Sequence, residues 1–209
     1  MSVSPSIVAA RPAARPVRLV MEASRLLLAA ERHALVGLMG LLMALILLNV
    51  ATRYLGVPLY WVDESAVYSV VWLTFIGASA MTRLRLDFAV TMLTERLPAS
   101  GRAAARVVAT AAVVGFGLAL AWMCWLWMDP PGLVRAGFDA RALAAETFNF
   151  LYTERTQTLN WPTWILYLIL PLFSASLVVH GLALLAEDLG LAERAVLPRF
   201  GISSNEGIN

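Results

Sequence analysis

Lysine is absent from this 209-residue chain, cysteine occurs once and histidine only twice. One cysteine excludes an internal disulfide and says nothing of the redox compartment. Cys124 lies within a long apolar stretch and is expected to face lipid or to be packed, not to act as a nucleophile. His33 and His180 have no companion ligands at metal-binding spacing, and no glycine loop of the G-x-x-x-x-G-K-[ST] kind is present. No catalytic residue, metal, cofactor or nucleic-acid partner is therefore expected.

The absence that decides the class is of charge. Residues 34–52, 65–82, 107–128 and 156–186 carry no Asp, Glu or Arg. At about 1.5 Å of rise per residue, each can cross roughly 30 Å of hydrocarbon as an α-helix, the form that satisfies its own backbone there. The composition agrees, since 60% hydrophobic against 14% charged residues leaves no polar outer stripe for a water-soluble bundle. The expected fold is all-α, a polytopic membrane protein with four transmembrane helices plus short interfacial amphipathic helices. Its expected parts are a tail and interfacial helix over 1–33, a membrane domain over 34–186 and a tail over 187–209. The spans are expected at about 34–52, 65–82, 107–128 and 161–186.

All 16 basic residues are Arg, and twelve fall on one side of this layout against four on the other. By the positive-inside rule both termini are cytoplasmic. Trp61, Trp125, Trp127, Trp161 and Trp164 fall at the ends this rule places outside, as an interfacial belt would. Trp72 does not, and its indole N–H must find a partner in protein. Before the first span, Arg18, Glu22, Arg25, Ala29 and Arg32 form one mainly charged helical stripe, with Val20, Leu27 and Leu28 turned away. That pattern suits a helix lying along the inner membrane face. Pro5, Pro12 and Pro16 argue against helix before it, where a solvated basic tail is the alternative.

Two connections carry patterns of their own. Leu86, Val90, Leu93 and Leu97 share a helical face that Pro98 ends, which predicts a short interfacial helix. The sequence Asp129-Pro130-Pro131-Gly132 predicts a turn, and the Ala-rich stretch from Asp139 a periplasmic helix to which Phe148, Phe150, Leu151 and Tyr152 give something to bury. Pro171 is expected to kink the fourth span and free the Tyr167 carbonyl.

The candidate functional residues lie at the outer end of the first hairpin. Asn49 and Arg53 share a helical face, and Asp63 and Glu64 open the second helix, where carboxylates favour the positive end of the dipole. Ten intervening residues allow Arg53 to meet Glu64 across the hairpin; the alternative is that Arg53 snorkels and Glu64 caps its helix. On the third span Ala111, Gly115 and Ala119 repeat every four residues, a small-residue groove for close helix approach, to a partner or within the chain. No ionisable residue lies between the ends of the spans, which weighs against transport by this chain alone. Three classes are thus in play: a support subunit, a haem-binding or quinone-linked redox anchor with His ligands, and an independent small transporter.

Arg53-Tyr54, Gly56-Val57-Pro58, Trp61-Val62-Asp63-Glu64, Tyr68, Trp72, Gly77-Ala78 and Arg83 resemble the core of the small membrane subunit of tripartite ATP-independent periplasmic (TRAP) transporters, the DctQ-like family. Thr158-Leu159, Pro162, Trp164, Tyr167 and Pro171 extend the likeness. After Arg83 the family pattern runs to a Gly, then a His and an aliphatic residue. This chain has Arg85, Asp87 and Phe88 there, so the contact of that His is either absent or taken over by Arg85 with Asp87. The resemblance implies an accessory subunit of the bacterial inner membrane. It would support a large multi-spanning subunit that moves an organic acid on an ion gradient, and help dock a periplasmic substrate-binding protein. The candidate interface or structural residues, from spacing and resemblance together, are Asn49, Arg53, Trp61, Asp63, Glu64, Trp72, Gly77, Arg83, Ala111, Gly115 and Ala119.

Overall fold

The computed structural model describes residues 14–86 and 98–195, with the backbone alone for Ala99 and Ser100. Among the described residues seven helices follow in order: α1 (Arg15–Tyr54), α2 (Tyr60–Arg83), α3 (Ala99–Met128), α4 (Pro130–Arg135), α5 (Ala140–Thr147), α6 (Thr163–Tyr167) and α7 (Ile169–Asp188). Four bodies are long and apolar enough to cross a membrane: α1, α2, α3 with its continuation, and α6 with α7. No strand occurs among the described residues, only an isolated bridge between Arg155 and Pro162. The end where α1 begins and α7 finishes is called the terminal end below, and the other the hairpin end.

α1 runs for 40 residues, about 60 Å, without a break. The expected boundary between an interfacial helix and the first span falls inside it. The helix expected before residue 34 and the first span are thus parts of one unbroken helix. Pro16 stands in its first turn, where the missing N–H costs nothing. Along α1, Val17, Met21, Ser24, Leu28, Glu31, Leu35, Leu38, Leu42, Leu45 and Asn49 are buried or half-buried, at alternating spacings of four and three. That seam is the geometry of helices crossing at a shallow angle. The charged stripe through Arg18, Glu22, Arg25 and Arg32 is exposed.

α7 is the hub, packing on α1, α2 and α3, and it is the most buried of the four bodies. Small residues allow this. A Cβ added at Gly181 would come within 2.7 Å of Val114 Cγ2, and one at Gly117 within 3.0 Å of Val178 Cγ2, so α3 and α7 touch almost backbone to backbone. Buried Cys124 lies on the same seam of α3.

The expected turn at 129–132 is a cap. Asp129, with φ 40°, accepts from the Gly132 N–H at 2.9 Å and starts α4. Asp139 caps α5 in the same manner, accepting from Arg141 and Ala142 N–H. Leu151 is buried below it, whereas Phe148 and Phe150 are exposed, against the expectation that both would be covered. The expected helix through Val90, Leu93 and Leu97 lies outside the described residues.

Candidate functional site

Four layers of polar ties hold the bundle, one at the hairpin end, one in the middle and two towards the terminal end. At the hairpin end Arg53 donates through Nε to Asn49 Oδ1 and through Nη2 to Asp63 Oδ2, both at 2.7 Å, while Asn49 Nδ2 donates to Asp63 Oδ1. The three side chains close a ring across the α1–α2 turn. With Arg53 and Asp63 side chains 59% and 42% exposed, the pair sets geometry and adds little stability.

The expected partner of Arg53 was Glu64, and the structure corrects this. Adjacent helical residues point about 100° apart, so only one carboxylate can face Arg53. Glu64 turns to the connection before α6. There it accepts the backbone N–H groups of Gln157, Thr158 and Leu159 at 2.9, 2.8 and 2.9 Å, and the Thr158 hydroxyl. Tyr68 donates to the same carboxylate at 3.3 Å. Three successive amides on one anion make a nest, and they pin a loop nearly a hundred residues away to the start of α2. Beside it lies a cleft of about 560 Å³ whose lining includes Asp63, Glu64, Tyr68, Arg155, Gln157 and Thr158.

In the middle, Trp72 Nε1 donates to the Leu166 carbonyl at 3.2 Å. The helix before Pro171 breaks at Leu168, between α6 and α7. In an unbroken helix the Leu166 carbonyl would take the Leu170 N–H; at the break the indole takes that place. Trp72 thus ties α2 to the kink inside this chain. The kink is as expected, but the carbonyl served is that of Leu166, not Tyr167. Trp72 and Trp61 also wall an apolar cleft of about 350 Å³ with Leu45 and Trp161. Gly77 faces α1 with ordinary space, the nearest atom to an added Cβ being Leu35 Cδ2 at 3.8 Å.

Towards the terminal end lies the layer that sequence reasoning missed. His180 of α7 is fully buried, with Nδ1 at 2.8 Å from Ser24 Oγ and Nε2 at 3.1 Å from Glu31 Oε2; Ser79 of α2 donates to Glu31 Oε1 at 2.7 Å. The order Ser, His, carboxylate is that of a hydrolase, yet Ser24 has no exposure and cannot meet a substrate. Both ring nitrogens of His180 are engaged, and His33 Nδ1 lies 2.7 Å from the Ala29 carbonyl of its own helix. With both nitrogens engaged, His180 has none free for an axial bond. The signal was readable: Ser24 and Glu31 stand on the same four-and-three spacing as the leucines of α1, a register that ends in the core.

Beyond it, Arg83 is 1% exposed and donates to Glu187 Oε1 at 2.8 Å, leaving its Nε without a partner among the described residues. Arg85 binds Asp188 Oδ1 at 2.9 Å and Glu187 Oε2 at 3.4 Å, and Thr110 of α3 donates to Asp188 at 3.0 Å. Three helices are locked together here. Arg85 has φ 55°, the left-handed conformation just after α2 in which glycine is at ease. An Arg in that place loses backbone comfort and gains α7 as its partner. Its expected companion Asp87 lies outside the described residues. The bundle is therefore not free of embedded charge, as the sequence suggested, but each charge is spent on a neighbouring helix.

Ala111, Gly115 and Ala119 are exposed, and an added Cβ at Gly115 would meet nothing within 4 Å. The groove offered to close approach inside this chain runs through Gly117 and Gly181 instead.

Residues 42–191 match the family model of the DctQ component of tripartite ATP-independent periplasmic transporters. This chain belongs to that family. The match runs from the middle of α1 past the end of α7 and takes in the hairpin ring, the Glu64 nest and the Arg83–Glu187 lock, while Ser24 and Glu31 precede it. No curated protein and no solved structure matches the chain. As a DctQ component it is a membrane protein and part of a transporter, not an enzyme.

Proposed function

We propose that this DctQ component is a static support. It sits in the bacterial inner membrane with both termini cytoplasmic, holds a large multi-spanning subunit that carries an organic acid, and offers its hairpin end to the periplasmic binding protein. The observation that carries the reading is the set of ties between helices. α1, α2, α3 and α7 are joined by side-chain ties at both ends and at the middle, and among the described residues Arg83 Nε is the one buried side-chain polar atom without a partner. A body tied in this way suits a frame, because its internal contacts would have to break for it to shear. The Arg asymmetry supports the orientation, and the cleft beside Glu64 supplies polar groups for a docking partner.

The exposed Ala111, Gly115 and Ala119 face suits a close contact with the large subunit. With Cys124 replaced by Ser, a single Cys at 111, 115 or 119 is expected to crosslink to the large subunit with equal yield in its inward-facing and outward-facing states. A crosslink confined to one state would mean that this chain moves with the cargo.

A further inference from the structure

The connection between α3 and α6 carries aromatic rings that neither its local structure nor its packing explains. Phe138 and Phe148 have φ of 63° and 56°, the left-handed region where glycine is favoured, yet both are Phe and both are bare, at 72% and 79% exposure. Phe150 is 52% exposed. A phenyl ring has no polar tip, and leaving one in water forgoes the free energy its burial would give. Three such rings on a stretch that also exposes Arg135, Asp139, Arg141 and Glu146 give it one charged and one apolar character.

The depth of this connection is fixed. Asp129 turns the chain from α3 into α4 with no linker, Asn149 Nδ2 donates to the Trp127 carbonyl at 2.7 Å, and the Tyr152 hydroxyl donates to the Met128 carbonyl at 2.7 Å. Phe148 and Phe150 flank Asn149, so their backbones lie within about 10 Å of the last turn of a spanning helix. Exposed Trp125, Trp127 and Trp161 stand at the same end, as rings at a headgroup layer do.

We propose that the connection is a monotopic membrane element. α4 and α5 lie in the headgroup layer at the hairpin end, and Phe138, Phe148 and Phe150 enter the acyl boundary of that leaflet. The ligand is the lipid surface itself, and the inference needs only that the four helices span a bilayer. It gives the bundle a foot on one leaflet that resists tilting of α3 against the membrane.

The test uses the full chain with Cys124→Ser in liposomes of phosphatidylethanolamine and phosphatidylglycerol, with a nitroxide on a single Cys placed at 138, 148 or 150. Met39, exposed near the middle of α1, is the lipid reference, and Arg141 the water reference. Phe138 and Phe148 are mostly exposed and Phe150 about half, so their replacement leaves the core between the helices untouched. Accessibility to oxygen relative to a water-soluble nickel chelate is expected to be several-fold higher at 148 and 150 than at 141, approaching that at 39. Nickel access equal to that at 141 would overturn the proposal, as would shielding from both reagents in the complete complex, which would make the patch a protein contact.

Discussion

At the scale of single residues, the polar groups of this membrane protein are placed to be consumed. Glu31 receives Ser79 and His180, and His180 also meets Ser24, so one carboxylate and one imidazole join α1, α2 and α7 where water is excluded. Removing one partner leaves the others unsatisfied, at about 1–3 kcal/mol for a neutral group and roughly 3–5 kcal/mol for a stranded charge. His180→Leu is therefore expected to destabilise the protein strongly, because Glu31 keeps only Ser79. Adding Glu31→Leu to it should cost less than Glu31→Leu costs alone, and can even return stability. Unfolding of the four variants in mixed micelles checks this, and strict additivity would show that the two side chains do not depend on each other. The pair also shows where sequence reading stopped. Counting charge between span ends placed Glu31 outside the first span, whereas the spacing of α1's apolar residues places it on the buried seam.

At the scale of elements, length and apolarity were legible and direction was not. Four charge-free stretches became four spanning bodies, but the amphipathic segment before the first span became its unbroken continuation, since nothing between Arg32 and Ala34 interrupts the helix. The break at Leu168 followed from Pro171, and the need of Trp72 for a partner followed from its depth; that the two needs answer each other required the packing of α2 on α7. Their linkage is testable. Trp72→Phe is expected to cost about 1 kcal/mol by stranding the Leu166 carbonyl. In a Pro171→Leu background, a straightened helix can offer the Leu170 N–H to that carbonyl, and Trp72→Phe should then be close to neutral. Equal cost in both backgrounds, read from the same unfolding measurement, would show that the indole does not serve the kink.

At the scale of the whole molecule, the Arg53–Glu64 pairing expected from the sequence was wrong in its partner and right in its place. Opposite charges at 53, 63 and 64 marked the hairpin end, but Glu64 is spent on loop amides from the second half of the chain, and no spacing rule reports a contact at that range. The outcome is stiffer than one ion pair would give. α1 and α3 both pack on α7, and the ties through Glu31, His180, Asp188 and Thr110 transmit position between them. Spin labels at Met39 on α1 and Leu118 on α3, both exposed, report on that stiffness in a Cys124→Ser background. The distance between them is expected to hold within about 2 Å, the scale of a minor helix shift, whether the chain is alone, joined to its large subunit, or given substrate-loaded binding protein. A change near the roughly 5.4 Å of one helical turn would mean that α1 and α3 slide relative to each other during transport, and the support role would then have to be given up for a moving one.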